Sequence, residues 1–98
     1  MHPINTNSIV FQAKDQLSCE LGGEAAILNL GNGVYYGLDP VGARIWELIQ
    51  APREVADVRD LLVAEYDVDV DRCERDLLML LARLAAERLV EVQIEGAA

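Results

Sequence analysis

The tripeptide Gly31-Asn32-Gly33 constrains this chain more than any other segment. Asn-Gly accepts the positive φ angles of a type I′ turn, whose twist matches that of the strands it joins. The spacing therefore predicts an antiparallel hairpin with arms Glu24–Leu30 and Val34–Leu38. On the second arm Val34, Tyr36 and Leu38 share one face, and Tyr35 and Gly37 the other, because strand side chains alternate. Asp39-Pro40 then switches the chain to helix. Asp accepts hydrogen bonds from the free N–H groups of a first turn, and Pro in that turn sacrifices none.

The remaining elements follow from periodicity. Before the hairpin, Ser8–Ala13 and Leu17–Leu21 read as short strands, the second with Leu17, Cys19 and Leu21 on one half-buried face. After it, Val41, Ile45, Trp46 and Ile49 form the inner stripe of a helix that ends by Pro52. A second helix spans about Glu54 to Glu65, with Val55, Val58, Leu61, Leu62 and Tyr66 as its apolar residues. A third runs from about Asp71 to Arg88. Its stripe of Val70, Cys73, Leu77, Leu80, Leu81 and Leu84 is flanked by Leu78, Ala82, Ala85 and Leu89, making the apolar arc wide. Arg72, Arg75, Asp76, Met79, Arg83 and Glu87 remain for solvent. Val90–Ile94 alternates as a short strand or a loose tail. The fold class is α+β and winged helix-turn-helix-like, with a small N-terminal antiparallel sheet of three or four strands followed by three helices. Residues 8–92 form one domain, with residues 1–7 and 93–98 as flexible tails.

Composition narrows the function. Ninety-eight residues make a single core. Eight Lys and Arg stand against seventeen Asp and Glu, a net charge of −9 that argues against nucleic acid and for a soluble chain with a cationic partner. Every apolar run is broken well before the length of a membrane span, and Met1–Thr6 lacks the features of a secretory signal, so the expected compartment is the cytoplasm. In that reducing setting Cys19 and Cys73 are expected to be buried apolar residues.

Catalytic and metal chemistry find little support. Ser8 and Ser18 have no base within the pattern, since the one histidine, His2, lies in the N-terminal tail. His2 and the two cysteines do not complete a metal site, and no cofactor is expected. Asp67, Asp69 and Asp71 imitate the opening of a calcium loop, but Arg72 stands where glycine is required and Leu78 where a bidentate Glu belongs. They read instead as a polar turn whose last aspartates cap the third helix. A DNA-reading third helix would begin with Asp71, Glu74 and Asp76 among its arginines, which repels phosphate nearly as much as it attracts it.

The hairpin's second arm is more informative. Tyr35-Tyr36 alone suits any strand. As the last strand before the helices, however, Val34–Leu38 is a sheet edge with unpaired backbone groups and no Lys or Pro to blunt it. Beside it stands a helix with surplus apolar surface. An unpaired edge next to an apolar helix face is what strand addition by an extended peptide needs.

The run Gly22–Leu30, Gly31-Asn32-Gly33, Val34-Tyr35-Tyr36-Gly37-Leu38-Asp39-Pro40 and Gly42-Ala43-Arg44-Ile45-Trp46 resembles the PqqD-like family. The likeness continues through Val58, Leu62, Glu65-Tyr66-Asp67-Val68 and the Leu-rich third helix, and is greatest to the stand-alone members of lasso peptide clusters. The resemblance implies a non-catalytic RiPP recognition element, the module that binds the leader of a ribosomally made, later modified peptide. It implies as partners that leader segment, a separate cysteine-protease leader peptidase and an ATP-dependent cyclase; a PqqD-type role with a radical enzyme is the near alternative. Carried onto this chain, the peptide-binding residues are Gly33, Val34, Tyr35, Tyr36, Gly37 and Leu38. Leu78, Ala82 and Ala85 stand opposite them, and Arg75, Asp76 and Met79 form the rim.

Overall fold

The computed structural model describes residues 4–93. His2 and Ile94, with the rest of residues 1–3 and 94–98, lie outside the described residues. The elements in chain order are β1 (Ile9–Gln12), β2 (Gln16–Leu21), β3 (Glu24–Asn29), β4 (Tyr35–Leu38), α1 (Pro40–Leu48), β5 (Arg53–Glu54), α2 (Val55–Tyr66), α3 (Val70–Ala86) and β6 (Val90–Gln93). The α+β class is as expected, with small antiparallel sheets and three helices. The strands, however, divide into two sheets, ordered β2-β3-β4 and β5-β1-β6. β1 pairs with β6 from Ile9↔Gln93 to Gln12↔Val90, and with β5 at Ile9↔Glu54 and Val10↔Arg53. Alternation shows that β1 is a strand but not which distant segment it pairs with. Its partners here are two short pieces at helix ends. Ile4–Asn7, expected as tail, form a turn: Ser8 N–H donates to the Asn5 carbonyl at 3.0 Å, and the Thr6 carbonyl accepts from Ala56 N–H at 3.0 Å.

The hairpin forms, with a longer loop than a type I′ turn. Asn29 N–H donates to the Val34 carbonyl at 2.9 Å and Gly33 N–H to the Asn29 carbonyl at 2.8 Å, which closes the loop Leu30–Gly33. Gly33 takes φ +73°, whereas Asn32 is not among the positive-φ residues. Asn32 instead accepts Val34 N–H through its Oδ1 at 2.9 Å. Loops of this length are the next solution after two-residue turns, and they need left-handed backbone at one position.

The helix signals hold. Asp39 accepts from Gly42 N–H at 2.8 Å, with Pro40 in the first turn. Asp69 accepts from Arg72 N–H at 3.0 Å at the start of α3, and Asp67 ends α2 with left-handed backbone, so the aspartate run is a turn and a cap. Gly42 also packs closely on β4, since a Cβ there would lie 3.2 Å from the Leu38 Cβ and crowd it. One core fills the space between the sheets and helices. It includes Val10, Ile27, Trp46, Ile49, Val55, Val58, Leu62, Leu77, Leu81 and Leu89.

β2 departs from expectation. Leu17 and Leu21 are 62% and 69% exposed, and Cys19 between them is exposed too. Their face of the sheet looks away from the helices, because α1 packs on the opposite face of β3. Alternation fixes which residues share a face, not which face the helices cover. Cys73 is half-buried.

Candidate functional site

β4 is an edge: among the described residues it pairs only with β3, in the register Ala25↔Leu38, Ala26↔Gly37, Ile27↔Tyr36 and Leu28↔Tyr35. The Asn29–Val34 bond sets the phase of that ladder. Hydrogen-bonded and non-hydrogen-bonded pairs alternate along an antiparallel ladder. Tyr36 and Leu38 therefore spend their N–H and C=O groups on β3, and Tyr35 and Gly37 turn theirs outward. The open edge presents two donors and two acceptors.

Beside this edge lies a cleft of about 780 Å³ bounded by the end of β4, the start of α1, the α2–α3 turn and one side of α3. Buried Ile45, Leu62 and Leu77 lie at its bottom. Leu38 and Val41 line one wall, Cys73 and Leu80 the other, and Tyr66 and Val68 stand half-exposed at the mouth. Asp39, Asp69, Arg72, Asp76 and Arg83 supply mixed charge around the apolar interior. Arg72 and Asp76 approach to 3.8 Å on the surface of α3, a pair that solvent screens.

The frame is tied at its corners. Tyr36 O–H donates to Glu87 Oε2 at 2.7 Å, joining β4 to the end of α3. That bond to a carboxylate, with burial and the Glu87 charge, outweighs the opposing contact with Asn32 and raises the Tyr36 pKa. Buried Asn29 donates from Nδ2 to the Glu87 carbonyl at 2.8 Å and accepts Gly31 N–H at 2.8 Å, fixing the hairpin loop to the same helix end. On the helical side Arg44 bridges α1 to Glu65 of α2 at 2.9 Å and also pairs with Glu47. Arg59 reaches Glu74 of α3 at 2.7 Å. Burial first, then the Asp76 charge, pushes the Cys73 thiol up, so it stays protonated in the cleft wall.

The structure brings together only part of the expected site. Gly37, Leu38 and Asp76 line the cleft. Tyr36 points to α3 and packs on the core, whereas Tyr35 stands on the sheet's outer face, 69% exposed. Gly33 and Val34 belong to the loop, with Val34 N–H already bonded to Asn32, so the ladder available at the edge is shorter than Gly33–Leu38. On α3 the cleft meets a different side from the expected one. At 100° per residue Arg75, Leu78, Ala82 and Ala85 lie opposite the stripe Cys73–Asp76–Leu77–Leu80–Arg83 that lines the cleft. Leu78 packs on the core, Met79 and Ala82 are exposed, and Ala85 lines a separate hollow with Phe11, Lys14 and Arg88. Leu80, Val41, Tyr66 and Val68 are among the cleft residues absent from the expected site. Leu80 is visible on the apolar stripe, and it packs on the core while also lining the cleft.

A model of the family "Coenzyme PQQ synthesis protein D (PqqD)" matches residues 24–90, from β3 to the start of β6. No curated protein matches the chain. The chain is similar to TbiB1, solved in complex with the TbiA(beta) leader peptide, at 36% identity over 90% of this chain and 98% of that one, with a TM-score of 0.77. Its fold is also that of the PqqD truncation of Methylobacterium extorquens PqqCD, determined by solution NMR and described as a functional, stand-alone RiPP recognition element. That likeness has 20% identity, 90% and 94% coverage, and a TM-score of 0.75. With the family match spanning the hairpin, all three helices and the cleft between them, this chain belongs to the PqqD family.

Proposed function

We propose that this chain is a non-catalytic RiPP recognition element that captures a precursor's leader segment as an added strand on β4. The observation that carries the reading is the open β4 edge bordering an apolar cleft. The N–H and C=O groups of Tyr35 and Gly37 supply the backbone ladder, and the cleft between Leu38 and Leu80 receives alternate side chains of the incoming strand. Similarity to TbiB1, a protein solved with a leader peptide bound, supports the ligand class. In the finer reading the ligand is a lasso precursor. The bound leader is then presented to a separate cysteine-protease leader peptidase and an ATP-dependent cyclase in the cytoplasm. The match to the PqqD model supports a second reading of the same site, in which the presented precursor goes to a radical enzyme.

Titration with a synthetic leader peptide from the adjoining precursor gene tests the site. Binding is expected near 1 μM, about −8 kcal/mol. Tyr35→Pro removes an outward donor while sparing the ladder to β3, and Leu80→Asp places an unpaired charge in the cleft. Each is expected to weaken binding at least about tenfold, some 1.4 kcal/mol, with an unchanged circular dichroism spectrum. Binding undiminished in both variants would refute the assignment.

A further inference from the structure

Five charged side chains border the cleft, and four of them already have partners. Asp39 accepts Gly42 N–H at 2.8 Å and Asp69 accepts Arg72 N–H at 3.0 Å, each capping a helix. Arg72 and Asp76 lie 3.8 Å apart. Arg83 is the exception: it lines the cleft, is exposed, and pairs with no carboxylate among the described residues. Its natural partner would be Glu87, four residues on and therefore on the same side of α3. Glu87 instead accepts the Tyr36 O–H at 2.7 Å and borders the separate hollow rather than the cleft. The bond that ties β4 to α3 thus also keeps Arg83 unpaired.

We infer that Arg83 selects a leader carrying an Asp or Glu at one fixed position. The inference rests on leader capture at β4, and it adds what the captured segment must contain. β4 and α3 pass each other in opposite directions, with Tyr36 at Glu87 and Leu38 across the cleft from Leu80. Arg83 lies one turn from both Leu80 and Glu87, about 4.5 and 6 Å along the helix axis. It shares the cleft with Gly37, whose N–H and C=O turn outward. A strand laid on that edge repeats its cleft-facing side chains about every 6.7 Å. The residue two positions from the one held between Leu38 and Leu80 therefore comes within reach of the guanidinium. Among unmodified side chains Asp and Glu supply the anion, and a guanidinium takes a carboxylate through two parallel N–H donors. The carboxylates elsewhere on the α3 wall do not compete, since Asp76 and Asp69 lie about 10 and 21 Å away along the helix.

The test is calorimetric titration of the full chain with the synthetic leader peptide, each Asp and Glu of the peptide being replaced in turn by Asn or Gln. One acidic position is expected to stand out, its neutralisation weakening binding about five- to tenfold, between the worth of an exposed pair and a buried one. Arg83→Gln should give the same loss with the original peptide, and the two changes together should cost no more than either alone. Arg83→Glu should be rescued by Lys at that peptide position. Tyr36→Phe keeps the ring but releases Glu87 to pair with Arg83, so it should weaken the original peptide more than its neutralised variant. Full affinity in Arg83→Gln, losses that simply add, or a tightly bound leader with no Asp or Glu would overturn the Arg83 assignment and leave capture standing. A leader that does not bind the unmutated chain, or binds undiminished to both Tyr35→Pro and Leu80→Asp, would overturn capture at β4 and the Arg83 assignment with it.

Discussion

Asn29 is the one buried polar side chain among the described residues, and it holds two backbone groups. Its amide nitrogen meets the Glu87 carbonyl at the end of α3, and its oxygen meets Gly31 N–H in the hairpin loop. One side chain thus sets the distance between the hairpin and the helix that borders the cleft. Asn29→Ala leaves a carbonyl and an N–H unpaired and is expected to cost roughly 1–3 kcal/mol, measured by urea denaturation. Nothing in a hydrophobic pattern distinguishes this Asn from a turn residue, because its partner lies far along the chain. The Tyr35-Tyr36 pair shows a related limit. Alternation separates their faces, but only the ladder phase set by the Asn29–Val34 bond tells which of them offers its backbone to the edge.

Among elements, the hairpin and the three helices were legible because their signals are local: Gly33 for the loop, Asp39-Pro40 for α1, Asp69 for α3. The loop also shows where a local rule can mislead. Asn32-Gly33 suggests a two-residue turn, yet only Gly33 takes left-handed backbone, and the loop extends to Leu30. Gly33→Val is expected to destabilise the fold by roughly 1–2 kcal/mol through that φ angle alone, since open space surrounds the position. A thermal melt against the unmutated chain measures it, and Asn32→Val serves as a control for lost polarity. The face of α3 that borders the cleft was not legible. An apolar arc this wide fits several rotations of the helix, and the choice depends on what α2 and β6 bury against it.

At the scale of the whole molecule, pairing of β1 with β5 and β6 joins the two ends of the domain and, among the described residues, leaves the β2-β3-β4 sheet with two free edges and one bare face. These contacts are long-range, and a strand's own sequence does not encode them. No described helix is long and apolar enough to cross a membrane. The exposed surface that remains is specific in kind: an edge with outward backbone groups beside an apolar cleft, and a sheet face that carries Leu17, Leu21 and Tyr35 beside Glu24. The first is the proposed peptide site. Amide hydrogen exchange resolved by residue examines it most directly, with and without a saturating synthetic leader peptide. Tyr36 and Leu38 should be protected in both states by β3, while Tyr35 and Gly37 should exchange freely alone and slow markedly with peptide bound. Saturated peptide binding with the Tyr35 and Gly37 amides exchanging unchanged would contradict strand addition at β4.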